Sequence, residues 1–370
     1  MSGRPSIALF FGTRPQIIKA SALREALAAV GPVIALDTGQ HYDYQLHRVH
    51  YEQLGVRPPD VYLGVGSESH ARQTAAIAVA AEDWLTAERP RLAVVIGDTN
   101  STLGCALTAA KLRVPLAHVE AGLRAVGPLI AEEVNRRCVD AIADLLFAPS
   151  RRAEATLRRE RPSACVHLVG DVAYDVLRRT LQRSLDPASV RGYDPRWGSE
   201  FVYVTLHRAE LVDDVAALSA VMRALSQSPL PCLFPVHPRT ALALERIGDV
   251  TGGAVRLCEP LGYVESITLL KHAAVAVTDS GGVQREAYWL GVPCLTVRDE
   301  SEWVETLECG ANALVPPSAV QRLPGAIRDA AGRRARELGW DQTAYGDGRA
   351  AARIAGILAE RLTSGVSSSS

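Results

Sequence analysis

The sequence predicts an α/β protein of two Rossmann-like, doubly wound domains with an active-site cleft between them. Three observations lead there. Short apolar runs alternate with longer amphipathic segments. The runs are apolar throughout, as in SIALFFG (6–12) and LAVVIGD (92–98), which is the pattern of parallel strands covered by helices on both faces. The rhythm breaks once, at LQRSLDPASVRGYDPRWGSE (181–200), and then restarts.

The first set of strands reads as 6–12, 33–39, 92–98, 115–120, 145–150 and 164–171. Amphipathic helices are expected at 15–29, 69–87, 101–112, 132–143 and 151–160. The Pro, Gly and Asp of 181–200 read as a linker. Beyond it come strands FVYVTLH, PCLFPVH, AVRLCEP, AVAVTDS and PCLTVR, with helices at 212–227, 263–271 and over VQREAYWLG. The expected domains are 1–180 and 201–345, followed by a C-terminal helix at 346–363 and a disordered Ser-rich tail at 364–370.

Bulk properties narrow the function. The chain has 370 residues, enough for two domains, and is 48% hydrophobic, enough for two cores. A net charge of -1 gives no general attraction to nucleic acid or to anionic membranes. No apolar run reaches the ~20 residues of a membrane helix. Seven cysteines stand singly, with no CxxC or CxxxC pair, so no structural zinc site is expected. The odd count and the lack of a signal peptide point to reduced thiols in the cytoplasm. There is no GxGxxG after the first strand and no GxxxxGK[ST], so neither a dinucleotide cofactor nor a P-loop is expected, nor any metal.

Chemically useful residues recur where apolar runs end: Arg14, Gln40, His41, Asp98, Glu120, His207, His237, Asp279 and Ser280. In an open parallel sheet those positions line the ligand crevice. Any one of them also fits a helix cap or a first-turn acid. In VTDSGGVQREA (277–287), Ser280, Gly281 and Gly282 are expected to turn into an anion nest ahead of a helix, suited to a diphosphate, with Glu286 one turn inside to meet a ribose diol. In GTRPQIIKA (12–20), Arg14 and Lys19 are cations beside the first turn; for Lys19 alone a solvated helix start is the plainer reading. His207 and Arg208 follow the first strand of the second domain. The basic stretch 151–162 reads as a solvated helix face.

The blocks GTRPQIIK, TGQHYD, GDTNST, HVEAGLR, EEVNRR, GDVAYD, TLHRAE, PVHP, EPLGY, TDSGGVQREA, SEWVET and YGDGRA together resemble the non-hydrolysing UDP-N-acetylglucosamine 2-epimerases. The resemblance covers nearly the whole chain, in the family's order. It implies a two-domain fold of the glycosyltransferase-B type and a homodimer, with a C-terminal helix that crosses back to the first domain. It implies anti elimination of UDP across C1–C2 to a 2-acetamidoglucal, re-addition, and protonation of C2 on the opposite face, with no cofactor. Two-faced proton transfer at one carbon needs at least two acid/base groups. By matching motif these are Asp98, Glu120 and Glu132, with His207 supporting the leaving diphosphate. The substrate-binding set so implied is Arg14, Lys19, Gln40, His41, Arg124, Arg136, Arg208, His237, Ser280, Gly281, Gly282, Glu286 and Arg298.

Three departures bear on the substrate. Position 16 is Gln where the commonest motif has Glu, Ala131 stands where Pro is usual, and SEWVE replaces TERPE. GTRPQ with GVGSESH (64–70) looks closer to relatives acting on UDP-2,3-diacetamido uronic acids. That substrate, a hydrolysing 2-epimerase, a glycosyltransferase of the same fold and a catalytically idle nucleotide-sugar sensor are the competing readings.

Overall fold

A computed structural model describes residues 7–40, 51, 55–125, 130–248, 252–332 and 340–364. His41 and the tail from 365 on, to which roles were given above, lie outside these. Contacts divide the chain into one unit of residues 1–178 with 343–370, and a second of 179–342.

Among the described residues, the first unit contains β1 (Ile7–Phe11), α1 (Arg14–Leu27), β2 (Val33–Asp37), β3 (Val61–Tyr62), α2 (His70–Glu88), β4 (Leu92–Ile96), α3 (Asn100–Lys111), β5 (Leu116–Val119), α4 (Ala131–Ile142), β6 (Leu145–Ala148), α5 (Arg151–Glu160) and β7 (Cys165–Leu168). Helix α6 (Val172–Leu181) runs to its boundary. The second unit contains β8 (Val202–Thr205), α7 (Ala209–Val212), α8 (Val215–Ser226), β9 (Cys232–Pro235), α9 (Pro238–Ile247), β10 (Val255–Cys258), α10 (Tyr263–His272), β11 (Val275–Thr278), α11 (Gly281–Leu290), β12 (Cys294–Thr296), α12 (Val304–Glu308), β13 (Asn312–Leu314) and α13 (Leu323–Ala330). The last helix, α14 (Ala350–Ser364), packs on α1 in the first unit.

Each unit is a parallel sheet. The first has the order β3-β2-β1-β4-β5-β6-β7 and the second β10-β9-β8-β11-β12-β13. The inner strands are buried along their full length, as in IALFF and LAVVI, which accounts for the absence of polar alternation in the sequence. The order reverses beside β1 in the first unit and beside β8 in the second. In doubly wound sheets the loops diverge at such a point and open a crevice beyond the carboxyl ends of the strands. The loops concerned are those after β1 and β4, and those after β8 and β11.

The segment 181–200 is not a linker. Two short 3-10 turns, Pro187–Ser189 and Pro195–Trp197, are capped by Asp186 and Asp194. Val190 and Asp194 are buried, and the rings of Tyr193, Trp197 and Phe201 cluster with centroids 5.5–6.1 Å apart. The same Pro, Asp and Gly that suit a linker here build tight turns against the second unit. The helix expected at 212–227 runs over Val215–Ser226, starting where Asp214 accepts from the N–H groups of Ala216 and Ala217, and a separate short helix, Ala209–Val212, precedes it.

Helix α14 is fastened at its N-terminus. Asp175, buried on α6, accepts from Ala350 N at 3.0 Å and Ala351 N at 2.8 Å. Helix N-terminal amides are orphan donors, and a carboxylate satisfies two of them while opposing the helix dipole. Asp175→Ala is expected to cost about 1–2 kcal/mol in urea denaturation, and to speed hydrogen exchange in 350–364 ahead of the rest of the unit. Unchanged exchange there would mean that apolar packing alone holds the helix.

Candidate active site

In the first unit the crevice loops are knitted together by one amide. Gln16, buried in the first turn of α1, accepts from Gly12 N at 2.9 Å and Thr13 N at 3.2 Å. Its Nε2 donates toward Ile96 O at 2.6 Å and lies 3.0 and 3.1 Å from the hydroxyls of Thr99 and Thr102. Gly12 is glycine because a Cβ there would run into the hydroxyls of Thr38 and Ser101. The loop after β1 is thereby seated against the start of α3.

The carboxylates come next. Glu120 follows β5 and is buried, with its Oε2 2.5 Å from Lys19 Nζ, itself only 7% exposed. The solvated helix-start reading of Lys19 is therefore wrong: Lys19 faces inward and is the partner of Glu120. The backbone of Glu120 has φ 66°, in the left-handed region that costs a non-glycine residue ~1–3 kcal/mol. Asp98 follows β4. Its carboxylate lies 2.5 Å from Arg136 on α4, and its carbonyl accepts from Asn135 at 2.9 Å. Arg136 also meets Glu133 at 3.2 Å. Glu132 stands exposed in the first turn of the same helix, while its neighbour Glu133 turns inward and bonds Arg136, Arg137 and Ala125 N. Asp98 and Glu132 are thus linked through α4. Glu120 lies against Gly97, where an added Cβ would sit 3.2 Å from its Oε2.

A buried cluster lies beneath them. His118 donates from Nε2 to Gly97 O at 2.8 Å, and its Nδ1 is hydrogen-bonded to Asp140 Oδ1 at 2.8 Å. Asp140 also accepts from Gly122 N at 3.1 Å and Arg124 at 2.8 Å. Burial pushes the Asp140 carboxyl up, but His118 and Arg124 outweigh it and hold it below the ordinary carboxylate range. Arg124 divides itself between Asp140 and Glu160, at 2.8 and 2.6 Å. Its guanidinium is thus paired with two carboxylates of its own unit. Gln40 uses its Oε1 on Ser101 N and Oγ, at 3.0 and 2.7 Å, at the start of α3. Arg14 is half-buried at the N-terminus of α1.

In the second unit, Asp279 follows β11, is fully buried, and accepts from His207 N and Arg208 N at 2.9–3.1 Å. The His207 ring is 42% exposed, with Nδ1 3.7 Å from the same carboxylate. The His237 ring lies 6.0 Å from it, and His237 Nδ1 accepts from Arg239 N to start α9. No nest forms at Ser280-Gly281-Gly282. Helix α11 begins directly at Gly281, with Ser280 as its N-cap, so the N–H groups on offer are those of a helix terminus. Gly281 is small for another reason: a Cβ would lie 2.7 Å from Trp303 Nε1 and 2.9 Å from Glu302 Oε1. Glu302 pairs with Arg298 at 2.9 Å and lies 3.8 Å from Arg208, and the Arg285 guanidinium stacks 3.8 Å over Trp303. Glu286 accepts from Tyr263 at 2.9 Å. Among the described residues no group of His, Cys, Asp and Glu is arranged to hold a metal ion.

Sequence reasoning missed His118, Asp140 and Trp303. The first two stand in quoted motif segments or near them, and the signal lay there: a histidine inside an otherwise apolar strand, and an acid on the inner face of the next helix.

The chain matches the family model described as UDP-N-acetylglucosamine 2-epimerase over residues 29–359. It is 39% identical to the UDP-2,3-diacetamido-2,3-dideoxy-D-glucuronate 2-epimerase of Pseudomonas aeruginosa, over 96% of this chain and 99% of that protein. It is 34% identical to the UDP-N-acetylglucosamine 2-epimerase of Methanocaldococcus jannaschii, over 95% of this chain and 98% of that one. A crystal structure of the latter enzyme with UDP-GlcNAc and UDP superposes with a TM-score of 0.86, covering 96% of this chain and 99% of its own.

The buried cluster has a pH signature. A carboxylate held below its unfolded value stabilises the fold above that value, near pH 4, and loses the contribution as pH falls through the folded value. The melting temperature of the wild-type protein is expected to fall more steeply than that of Asp140→Asn between about pH 5 and pH 3. Parallel curves would show that Asp140 is not the linked group.

Proposed function

The chain belongs to the UDP-N-acetylglucosamine 2-epimerase family, and from that premise we propose that it interconverts UDP-GlcNAc and UDP-ManNAc by eliminating and re-adding UDP. Epimerisation at C2 of a UDP-sugar is the family's reaction. The observation that supports the stepwise reading is the pair of caged carboxylates after neighbouring strands, Asp98 against Arg136 and Glu120 against Lys19, with Glu132 free in the first turn of α4.

One carboxylate takes the C2 proton, the C1–O bond breaks, and the electron pair of the C2–H bond becomes the C1=C2 bond of a glycal. UDP leaves with the electrons of the C1–O bond, its charge met by the N–H groups of α11 and by His207 and Arg208. UDP adds back to C1 and a second acid protonates C2 on the other face. Arg14, Ser280, Gly281, Gly282 and Glu286 are proposed to hold UDP, with Glu286 on the ribose. Water must be kept from the glycal for the reaction to return to a nucleotide sugar. We place the enzyme in the cytoplasm as a homodimer. Seven free cysteines and no helix long and apolar enough to cross a membrane, among the described residues, agree with the first of these.

A second reading, the UDP-2,3-diacetamido uronate as substrate, is favoured by the 39% identity with the Pseudomonas aeruginosa enzyme. Incubation with each nucleotide sugar in D2O, followed by proton NMR, decides between them. The true substrate gives a C2 epimer carrying deuterium at C2. Full retention of the original hydrogen at C2 would sink the elimination.

Asp98→Asn, Glu120→Gln and Glu132→Gln are each expected to lose about 10²–10⁴-fold in kcat, the usual worth of a positioned proton-transfer group, with UDP binding kept. A Glu132→Gln enzyme that melts slightly early and turns over normally would reduce Glu132 to a first-turn acid, worth ~0.3–1 kcal/mol of helix stability.

A further inference from the structure

We propose that His118 is a positioning residue for the proton-transfer pair, a buried, doubly protonated imidazolium that clips the loop after β4 to the loop after β5. The inference rests on the reading of Asp98 and Glu120 as that pair.

The protonation state follows from the acceptors. Gly97 O, 2.8 Å from Nε2, can only accept, so Nε2 carries a proton. Gly122 N and Arg124 both donate to Oδ2 of Asp140, and the Arg124 cation favours its ionised form, so Nδ1 of His118, 2.8 Å from Oδ1, is assigned as a donor as well. The ring is fully buried, beyond the reach of solvent. A charge so placed persists only when paired and hydrogen-bonded, which Asp140 provides and which Arg124 and Glu160 continue outward.

What the ring holds is unusual. Gly97, Glu120 and Gly122 all have positive φ, at 67°, 66° and 84°. Two are glycines, for which this is ordinary; Glu120 is not. Its conformation is imposed from both sides. His118, two residues before it, is pinned at both ring nitrogens. Ala121 N, one residue after it, donates to Phe147 O, and Gly122 N donates to the same Asp140 that binds His118. The carbonyl that His118 grips belongs to the peptide leading into Asp98. One cation therefore fixes where Asp98 leaves β4 and where Glu120 leaves β5. A neutral ring would lose one of these two grips.

The test compares His118→Gln with Glu120→Gln and wild type. A glutamine reaches one of the two acceptors and not both. Expected for His118→Gln is a fall in kcat of about 10–100-fold, the scale of a sub-ångström to ångström misplacement of reacting groups. UDP affinity by calorimetry and KM should change little. A purely structural histidine would lower the melting temperature and leave kcat per folded enzyme at the wild-type level, and that result overturns the proposal. If the variant does not fold, nitrogen-15 NMR of the wild-type imidazole decides. Protons on both ring nitrogens of His118 at pH 8 support the clip, and one bare nitrogen overturns it. Full turnover by Glu120→Gln would instead sink the acid/base reading, and leaves the imidazolium measurement to stand or fall alone.

Discussion

A parallel strand covered on both faces admits a charge along its length only where a partner is buried with it, so the groups that meet a ligand must be carried just beyond its ends. That constraint organises both units. Strands β4 and β5 are buried from end to end, and Asp98 and Glu120 follow within two residues. Strands β8 and β11 are followed by His207 and Asp279 in the same manner. The strand order reverses beside β1 and beside β8, so the loops carrying these residues have space between them. Gln16 and Asp279 use that space in comparable ways: each is a buried polar side chain of a crevice loop that satisfies backbone N–H groups of its own or the neighbouring loop.

Apolar runs without alternation made the two sheets legible in the sequence, and changes in charge and polarity at their ends marked the residues proposed for the site. What escaped depended on partners distant in sequence. Lys19 and Glu120 are 101 residues apart, and nothing near Lys19 says that it points inward. Arg124 belongs to a matching motif, yet Asp140 and Glu160 occupy its guanidinium. The segment 181–200 has the composition of a linker because turns and linkers draw on the same residues. At Gly281 the glycine suggested part of an anion nest, while the structure uses its lack of a side chain to admit Trp303. Helix α9 was missed because Pro238 reads as a breaker, although at the first helical position proline is favoured.

Buried ion pairs at these sites are better understood as fixing geometry than as adding stability. Removing a carboxylate and a cation from water costs much of what their attraction returns, and a paired buried charge is weak grounds for a stable fold. Lys19 with Glu120, and Arg136 with Asp98 and Glu133, are well placed to hold a charged oxygen in one position. Glu132 is exposed, and no cation is paired with it among the described residues. The three carboxylates therefore differ in setting, which is what a reaction that removes a proton on one face and delivers one on the other requires.

The cations of the second unit differ in how firmly they are held. Arg298 is bonded to Glu302 at 2.9 Å, and Arg285 is stacked on Trp303 at 3.8 Å. Arg208 lies 3.8 Å from Glu302, too far for a hydrogen bond, and its own N–H is fixed by Asp279. Its backbone is thus set while its guanidinium can be redirected at little cost. On the proposed reading a diphosphate at the start of α11 draws Arg208 away from Glu302, while Arg298 stays and keeps Glu302 from facing the phosphate uncompensated. On the same reading Trp303, which already fills the space over Gly281, limits how closely the diphosphate approaches. The SEWVE segment would then act on the nucleotide end of the substrate through charge balance and shape, apart from the acid/base chemistry proposed for the first unit.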